Sequence, residues 1–276
     1  MLEGMLNDIC GPDIFSSIYE TLSINLFSAD GKYSVILDAI RTLHNLMVPI
    51  GVYLMFIYFI IEMENLMAAS TFTWDQLGKK MIMLLVSKFL MEHGFELMEL
   101  FFGIGMSVAA ELNNAMVGGE IPELTFDAKE MIKAFQEDLG MTGLLKVLAD
   151  VILFIYLLLP WGLSWLMRLS ISVICYSRVI EIYVRAVMAP IALSDCYHGG
   201  LQSTGWRFLK SFLAVSLQGA TILIISIIFS LMITAITSVD ASHPMTFIGS
   251  YLAFYGASVM LMFKSLPLTK ELVGVN

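Results

Sequence analysis

Four charged side chains recur at helical spacing inside an apolar segment, residues 80–112. Lys88, Glu92, Glu96 and Glu99 follow i, i+4, i+8, i+11 spacing, which would place them on one face of a helix. A charge inside a membrane costs roughly 3 kcal/mol on insertion scales, so such groups usually face a bundle interior, a partner or water. This face is therefore a candidate for lining a channel, relaying protons or joining subunits. The alternative is a Lys88–Glu92 ion pair on a helix that lies partly at the surface.

A second charged face lies further along the chain. Arg178, Glu181 and Arg185 have i, i+3, i+7 spacing on an apolar helix, and Pro190 is expected to end or kink that helix. We expect the three charges to bind a neighbouring helix or a cytoplasmic partner. Arginines that reach to lipid headgroups are one alternative. A transporter in which Glu181 is the coupling carboxylate is another.

Motifs for enzymatic chemistry are missing from the sequence. It has no G-x-S-x-G, H-E-x-x-H, P-loop or GxGxxG pattern. The four histidines are scattered, and the three cysteines are widely spaced. His93 and Glu96 have a spacing that fits a metal only weakly. We therefore expect no catalytic residue, no cofactor and no metal site.

The composition is that of a membrane protein. The chain has 276 residues, of which 58% are hydrophobic and 14% charged, and the mean hydropathy is +0.81. Soluble domains carry about 25% charged residues. The net charge of −9 supplies no general basic field for a nucleic acid. The composition excludes a disordered chain and a disulfide scaffold, and it predicts an all-α, polytopic membrane protein.

Hydropathy predicts about five membrane spans, near residues 43–62, 80–112, 143–176 with an extension to 192, 211–236 and 246–264. The stretch 144–193 is either one long helix kinked at Pro160 or a hairpin that adds a sixth span. With five spans, nine Lys and Arg fall on one side of the membrane and four on the other. The positive-inside rule then favours five spans, with the N-terminus outside and the C-terminus in the cytoplasm.

Two segments predicted to be external are acidic. Residues 1–41 and the loop 113–141 each carry six acids and two bases. Residues 1–41 also show helical amphipathic spacing. We expect them to form an external N-terminal segment that lies on the membrane or docks on a partner or neighbouring subunit. Residues 42–276 would form the transmembrane domain.

Residues 178–224 carry a further pattern. It begins with an Arg-x-x-Glu-x-Tyr helix, formed by Arg178, Glu181 and Tyr183, and continues with an Ala-Pro-Ile segment at Ala189, Pro190 and Ile191. A Gly/Ser loop follows. The pattern ends in a helix with Phe-x-Lys, at Phe208 and Lys210, and Gln-Gly, at Gln218 and Gly219. This pattern resembles the core of the VirB6/TrbL-like conjugal transfer proteins. They are polytopic inner-membrane subunits of type IV secretion systems.

The resemblance implies a role in transport without an enzymatic activity. It implies a channel or platform subunit in the bacterial cytoplasmic (inner) membrane, which helps to translocate single-stranded DNA with its relaxase. The implied partners are further copies of the chain in a ring such as a pentamer, a VirB4-like ATPase, a VirB3-like subunit, a stalk or pilus-like subunit and the lipid bilayer. A secondary transporter or ion-channel subunit is the main alternative, although no inverted repeat is visible. An integral scaffold without a pore is a third.

Overall fold

The computed structural model describes most of the chain as α-helix. The described residues are 34–68, 73–117, 146–199, 203–239 and 244–275, with the separate residues 4, 5, 19, 22, 27, 132 and 133. These residues include no β-strand, and the predicted all-α class is confirmed. Most of the predicted external segment 1–41 and of the acidic loop 113–141 lies outside the described residues.

Seven helices and one short helical turn follow one another in the described ranges. They are α1 (Ser34–Ala68), α2 (Trp74–Glu92), α3 (Gly94–Val117), α4 (Lys146–Leu193), α5 (Cys196–Gly199), α6 (Thr204–Val239), α7 (Pro244–Phe263) and α8 (Ser265–Val273). Helix α1 begins at Ser34, so residues 34–41 of the predicted external segment are continuous with the first predicted span.

Local signals fix several helix ends. The side chain of Thr73 caps α2 by accepting a hydrogen bond from the backbone N–H of Gln76, at 3.3 Å. Helices α2 and α3 meet at His93, whose own N–H still donates to the carbonyl of Phe89 at 3.0 Å. Gly274 ends α8 with a positive φ of 72°. The predicted span 80–112 therefore corresponds to two helices with a nearly continuous hydrogen-bond ladder.

Three described helices are long and apolar enough to cross a membrane, over Ser34–Ala68, Leu157–Leu193 and Thr204–Phe229. The pair Gly249–Phe263 and Ser265–Val273, which is bent by 51°, would be a fourth crossing if it forms one span. Helices α2 and α3 are not among them. The chain is thus a polytopic helical membrane protein, while the number of five spans stays a prediction.

The long apolar stretch that could have been one helix or two is one helix. Helix α4 runs over 48 residues, which corresponds to about 72 Å at 1.5 Å per residue. Pro160 lies inside it, so the chain does not turn back there. Pro190 also lies inside α4, which continues to Leu193. Of the two expected effects of Pro190, an end of the helix is therefore not found. A kink at either proline stays a prediction.

The described residues fall into two compact units. The first unit takes residues from 1–24, 109–176 and 219–265, and the second from 25–108, 177–218 and 266–276. The first unit has an apolar core in which Tyr255 packs edge-on against Phe229, with ring centroids 5.0 Å apart, and Tyr251 donates to the hydroxyl of Tyr255 at 3.1 Å.

The second unit depends on close approaches between helix backbones. A Cβ on Gly105 would overlap the backbone carbonyl of Ser216, and one on Gly51 would lie 2.5 Å from the carbonyl oxygen of Pro190. Real Cβ atoms essentially never come closer than 3.0 Å to another atom. Small residues allow membrane helices to approach in this way. Helix α3 therefore contacts α6 at Gly105, and α1 contacts α4 at Gly51.

Replacement of Gly105 by alanine is expected to lower the free energy of unfolding by about 1–3 kcal/mol, because α3 must move away from α6. The matched control is Gly103→Ala on the same helix, where a Cβ meets nothing within 4 Å. That variant should keep or raise stability, by up to about 1 kcal/mol from helix propensity. Thermal unfolding in detergent measures both, and equal melting temperatures would contradict the assignment.

Candidate functional site

The charged face of α4 turns towards α6 of the same unit. Arg178 is buried, with 5% of its surface exposed. Its Nε donates to the carbonyl of Val215 at 3.1 Å, and its Nη2 donates to the carbonyl of Ser216 at 2.9 Å. Its guanidinium carbon lies 5.8 Å from the centroid of the Phe102 ring. One arginine of α4 thus binds two successive carbonyls of α6 and stacks over a ring of α3.

Glu181 and Arg185 continue this face with an ion pair. Arg185 donates to Oε1 of Glu181 from Nε at 3.0 Å and from Nη2 at 2.6 Å. Its third nitrogen, Nη1, donates to the hydroxyl of Ser211 on α6 at 2.7 Å. The structure therefore places the three predicted charges in contacts within the chain. A role between subunits or along a channel stays a prediction.

Ser216 is the point at which three helices meet. Its carbonyl accepts the hydrogen bond from Arg178 of α4. The absence of a side chain at Gly105 lets α3 contact the same carbonyl. In an apolar medium an unsatisfied polar group costs several kcal/mol, so the buried guanidinium of Arg178 holds α4 firmly against the carbonyls of α6. The position of Ser216 thus determines how α3, α4 and α6 pack.

A second polar contact joins α1 to α4. Pro190 has no N–H to donate to the carbonyl of Ala186, four residues earlier. The Nδ1 atom of His44 lies 2.7 Å from that carbonyl oxygen and must carry the proton, since a carbonyl only accepts. His44 is 1% exposed, and Gly94 leaves room for its ring. Our sequence reasoning missed this histidine. The signal that could have found it is a proline inside a helix, which leaves a carbonyl that needs a donor.

A third polar cluster lies where α1, α2 and α5 pack together. Lys80 of α2 forms an ion pair with Glu62 of α1, and its ammonium lies 5.6 Å from the centroid of the Tyr197 ring. Phe59 packs edge-on against the same ring, with centroids 5.8 Å apart. Burial, and then the negative charge of Glu62, raise the pKa of the Tyr197 phenol to about 12. Tyr197 therefore stays neutral at physiological pH.

The other predicted charged face, on α2 and α3, is exposed. Lys88 and Glu92 form an ion pair at 3.5 Å, and about half of each side chain is exposed. Glu96 and Glu99 are also exposed. His93 has its Nδ1 3.2 Å from the carbonyl of Phe89 and stacks on that ring. The described parts of the chain bring no three His, Cys, Asp or Glu side chains together in a way that could hold a metal ion.

The other residues singled out from the sequence are mostly buried. Tyr183 packs near Phe27, with ring centroids 6.3 Å apart. The rest are placed as follows: Pro160, Ala189, Pro190, Gln218 and Gly219 are buried, and Ile191 is half-buried. These positions serve the packing of α4 and α6.

Replacement of Arg178 by methionine is expected to lower the free energy of unfolding by about 2–3 kcal/mol, because the charged hydrogen bonds to α6 are lost. Lys79→Met is the control, since Lys79 forms only an exposed pair with Asp75. Thermal unfolding of the purified proteins in detergent measures the difference. A melting temperature for Arg178→Met equal to that of the control would contradict the role of Arg178.

The contact of His44 with Ala186 predicts an energetic coupling to Pro190. His44→Leu alone should destabilise the protein by about 1–3 kcal/mol, because the Ala186 carbonyl loses its donor. In a Pro190→Ala background residue 190 has an N–H for that carbonyl, so the same change should cost at least about 1 kcal/mol less. His93→Leu, which removes an exposed histidine, should show no such coupling. Additive effects of the His44 and Pro190 changes in a double-mutant cycle would contradict this assignment.

Comparison with known proteins identifies a family. A family model described as "TrbL/VirB6 plasmid conjugal transfer like protein" matches residues 30–190, which are 161 of the 276 residues. The match covers α1 to α3 and α4 as far as Pro190, and it overlaps the pattern noted at 178–224 only over residues 178–190. No curated protein and no solved structure matches the chain.

The matched region contains both charged faces and Phe102 of α3, over whose ring Arg178 lies. It extends over more than half of the chain and includes two of the three helices that are apolar enough to span a membrane. The chain therefore belongs to the family of TrbL/VirB6 plasmid conjugal transfer like proteins and is a multi-pass membrane component of a conjugal transfer system.

Proposed function

We propose that the protein is a channel or platform subunit of a conjugative type IV secretion system, in the bacterial cytoplasmic membrane. There it helps to translocate a DNA–relaxase substrate. The observation that carries this proposal is the family match over residues 30–190. It covers α1 to α3 and most of α4, which includes Arg178, Glu181 and Arg185, while their partners on α6 lie beyond the match.

The contacts that the charged side chains of α4 make support a role as a platform. Arg178 binds backbone carbonyls of α6, and Arg185 binds Glu181 and Ser211. These groups hold helices in fixed positions and leave their atoms little freedom to bind and release a solute. A rigid set of helices is what other subunits of a machine need in order to assemble on it.

The orientation that we propose has the N-terminus outside and the C-terminus in the cytoplasm, with five spans. The distribution of Lys and Arg supports it, because nine of the 15 fall on the C-terminal side and four on the other, while Lys88 and Lys146 lie inside predicted spans. The ion pair of Lys80 with Glu62 would then lie at the cytoplasmic end of the first two spans. The acidic segments 1–41 and 113–141 would be external, where they suit contacts with other proteins.

The partners that we propose are further copies of the chain, a VirB4-like ATPase, a VirB3-like subunit and a stalk or pilus-like subunit. The energy would come from the ATPase, since the sequence carries no nucleotide-binding motif. Single-stranded DNA with its relaxase would be the transient cargo. The protein itself would catalyse no reaction.

A secondary transporter or ion-channel subunit is less well supported. A coupling carboxylate must take up and release an ion, and Glu181 was the candidate in the sequence. In the structure one of its oxygens accepts two hydrogen bonds from Arg185. Glu92 on α2 forms an ion pair with Lys88 at 3.5 Å, with about half of each side chain exposed.

Deletion of the gene from its mobile element in a donor strain is expected to abolish transfer to recipients, because the translocation path loses a subunit. A plasmid copy of the wild-type gene should restore transfer, and the mating frequency is the readout. Purified protein in liposomes should show no solute uptake. Undiminished transfer by the deletion strain would overturn the proposal, and uptake of a solute against its gradient would favour the transporter.

A further inference from the structure

One face of α2 and α3 is exposed and carries charge within an apolar surface. We call Glu92, Glu96 and Glu99 the glutamate face. Exposed apolar side chains flank it on both sides along the chain, with Phe89 59% and Leu100 58% exposed. Ionised carboxylates in such a surface are unfavourable in a membrane unless an opposite charge covers them. Among the described residues, neither Glu96 nor Glu99 forms an ion pair, while Glu92 pairs with Lys88.

Contacts at glycines show where the glutamate face lies relative to α6 along the helix axes. We call this position along the axes its height. At one end, Gly94 contacts the side chain of Leu193, and Gly205 contacts the backbone of Ala192, so α3 and α6 begin at the same end of α4. At the other end, Gly105 contacts Ser216. Eleven residues separate Gly94 from Gly105, and eleven separate Gly205 from Ser216. Helices α3 and α6 therefore run parallel and in register over about 16 Å.

This register pairs charges of opposite sign at equal heights. Glu96 follows Gly94 by two residues, as Arg207 follows Gly205. Glu99 and Lys210 each follow their glycine by five residues. Arg207 is exposed and Lys210 is half-buried. We call these two residues the basic edge of α6.

Equal height has a consequence for assembly. Copies of a membrane protein in a ring are related by rotation about an axis along the membrane normal, and this rotation leaves the height of every residue unchanged. Such a ring uses two different surfaces of each copy, which meet head to tail. Two surfaces can pair in this way only if their matching groups lie at the same height. The glutamate face and the basic edge fulfil this condition over two pairs of charges.

We propose that the glutamate face of one copy docks on the basic edge of α6 in a second copy, so that Glu96 meets Arg207 and Glu99 meets Lys210. The inference rests on the proposed function, in that a platform subunit assembles with further copies, and it names the surfaces that do so. The charges that would be unfavourable against lipid are neutralised in the assembly. The interface joins identical chains through non-identical surfaces, head to tail.

Disulfide crosslinking between two differently tagged copies tests the pairing. In a background with Cys10, Cys175 and Cys196 replaced by alanine, one copy carries Glu99→Cys and the other Lys210→Cys. Mild oxidation of membranes from cells that express both should yield a dimer that bears both tags. Because each copy has one cysteine, a contact within a single chain gives no product.

The matched control carries its cysteine at position 107, as Ser107→Cys, and keeps Glu99. Ser107 is exposed on the same face of α3 but lies eight residues further on, about 12 Å higher. Ser107→Cys with Lys210→Cys should yield no mixed dimer. The absence of a mixed dimer with Glu99→Cys, or an equal yield with Ser107→Cys, would overturn the proposal.

Charge reversal gives an independent measurement. Glu96→Lys with Glu99→Lys should convert the detergent-solubilised oligomer to monomer on size exclusion, and so should Arg207→Glu with Lys210→Glu. The protein with all four changes should assemble again, because each pair regains opposite signs. Failure of the four-fold variant to assemble would show that lipid or a different subunit covers the glutamate face, and it would overturn the pairing.

These results are separable from the test of the proposed function. If the deletion strain loses transfer and the crosslink is absent, the interface is wrong and the function stands. If the deletion strain transfers normally and the crosslink forms, the interface stands and the function is wrong.

Discussion

The guanidinium of Arg178 binds two successive backbone carbonyls of α6, and the packing of its unit follows from that contact. Arg178 brings α4 to the carbonyl of Ser216, and the missing side chain of Gly105 brings α3 to the same atom. In a bilayer no water replaces a lost hydrogen bond, so each such contact is expensive to break. Three helices are therefore fixed around one peptide group, and the ion pair of Arg185 with Glu181 extends the contact along α4.

The charged face of α4 packs against α6, whereas the charged face of α2 and α3, which has similar helical spacing, is exposed. Hydrogen-bond chemistry explains the difference. A helix uses its N–H groups in its own ladder, but each carbonyl oxygen keeps a second lone pair. A buried donor such as Arg178 or His44 thus finds an acceptor on a neighbouring helix. A carboxylate finds no corresponding donor on a helix backbone. Glu96 and Glu99 accordingly remain at the surface of the chain.

Composition predicted the helical class, and the distribution of Lys and Arg favoured the single long helix. Sequence periodicity predicted the shared face of Arg178, Glu181 and Arg185. It did not predict which helix receives Arg178, because every peptide offers the same carbonyl. Nor does the sequence distinguish Gly105, which contacts α6, from Gly103, which meets nothing. Nor does the sequence show that a histidine 146 positions before Pro190 supplies a donor to the carbonyl that the proline leaves without an N–H. These features depend on contacts between distant parts of the chain, which a pattern of nearby residues does not contain.

The contact of His44 with Ala186 has a consequence for biogenesis. Its two residues are 142 positions apart, and ribosomes add about 5–20 residues per second, so α1 is made roughly 7–30 s before the peptide that its imidazole will bind. During this interval the imidazole of His44 has no access to the carbonyl of Ala186, because that peptide has not yet been made. Insertion of the first helix and completion of the bundle are thus separate events in time. The contact between α1 and α4 can therefore form only late in synthesis, once α4 has been made.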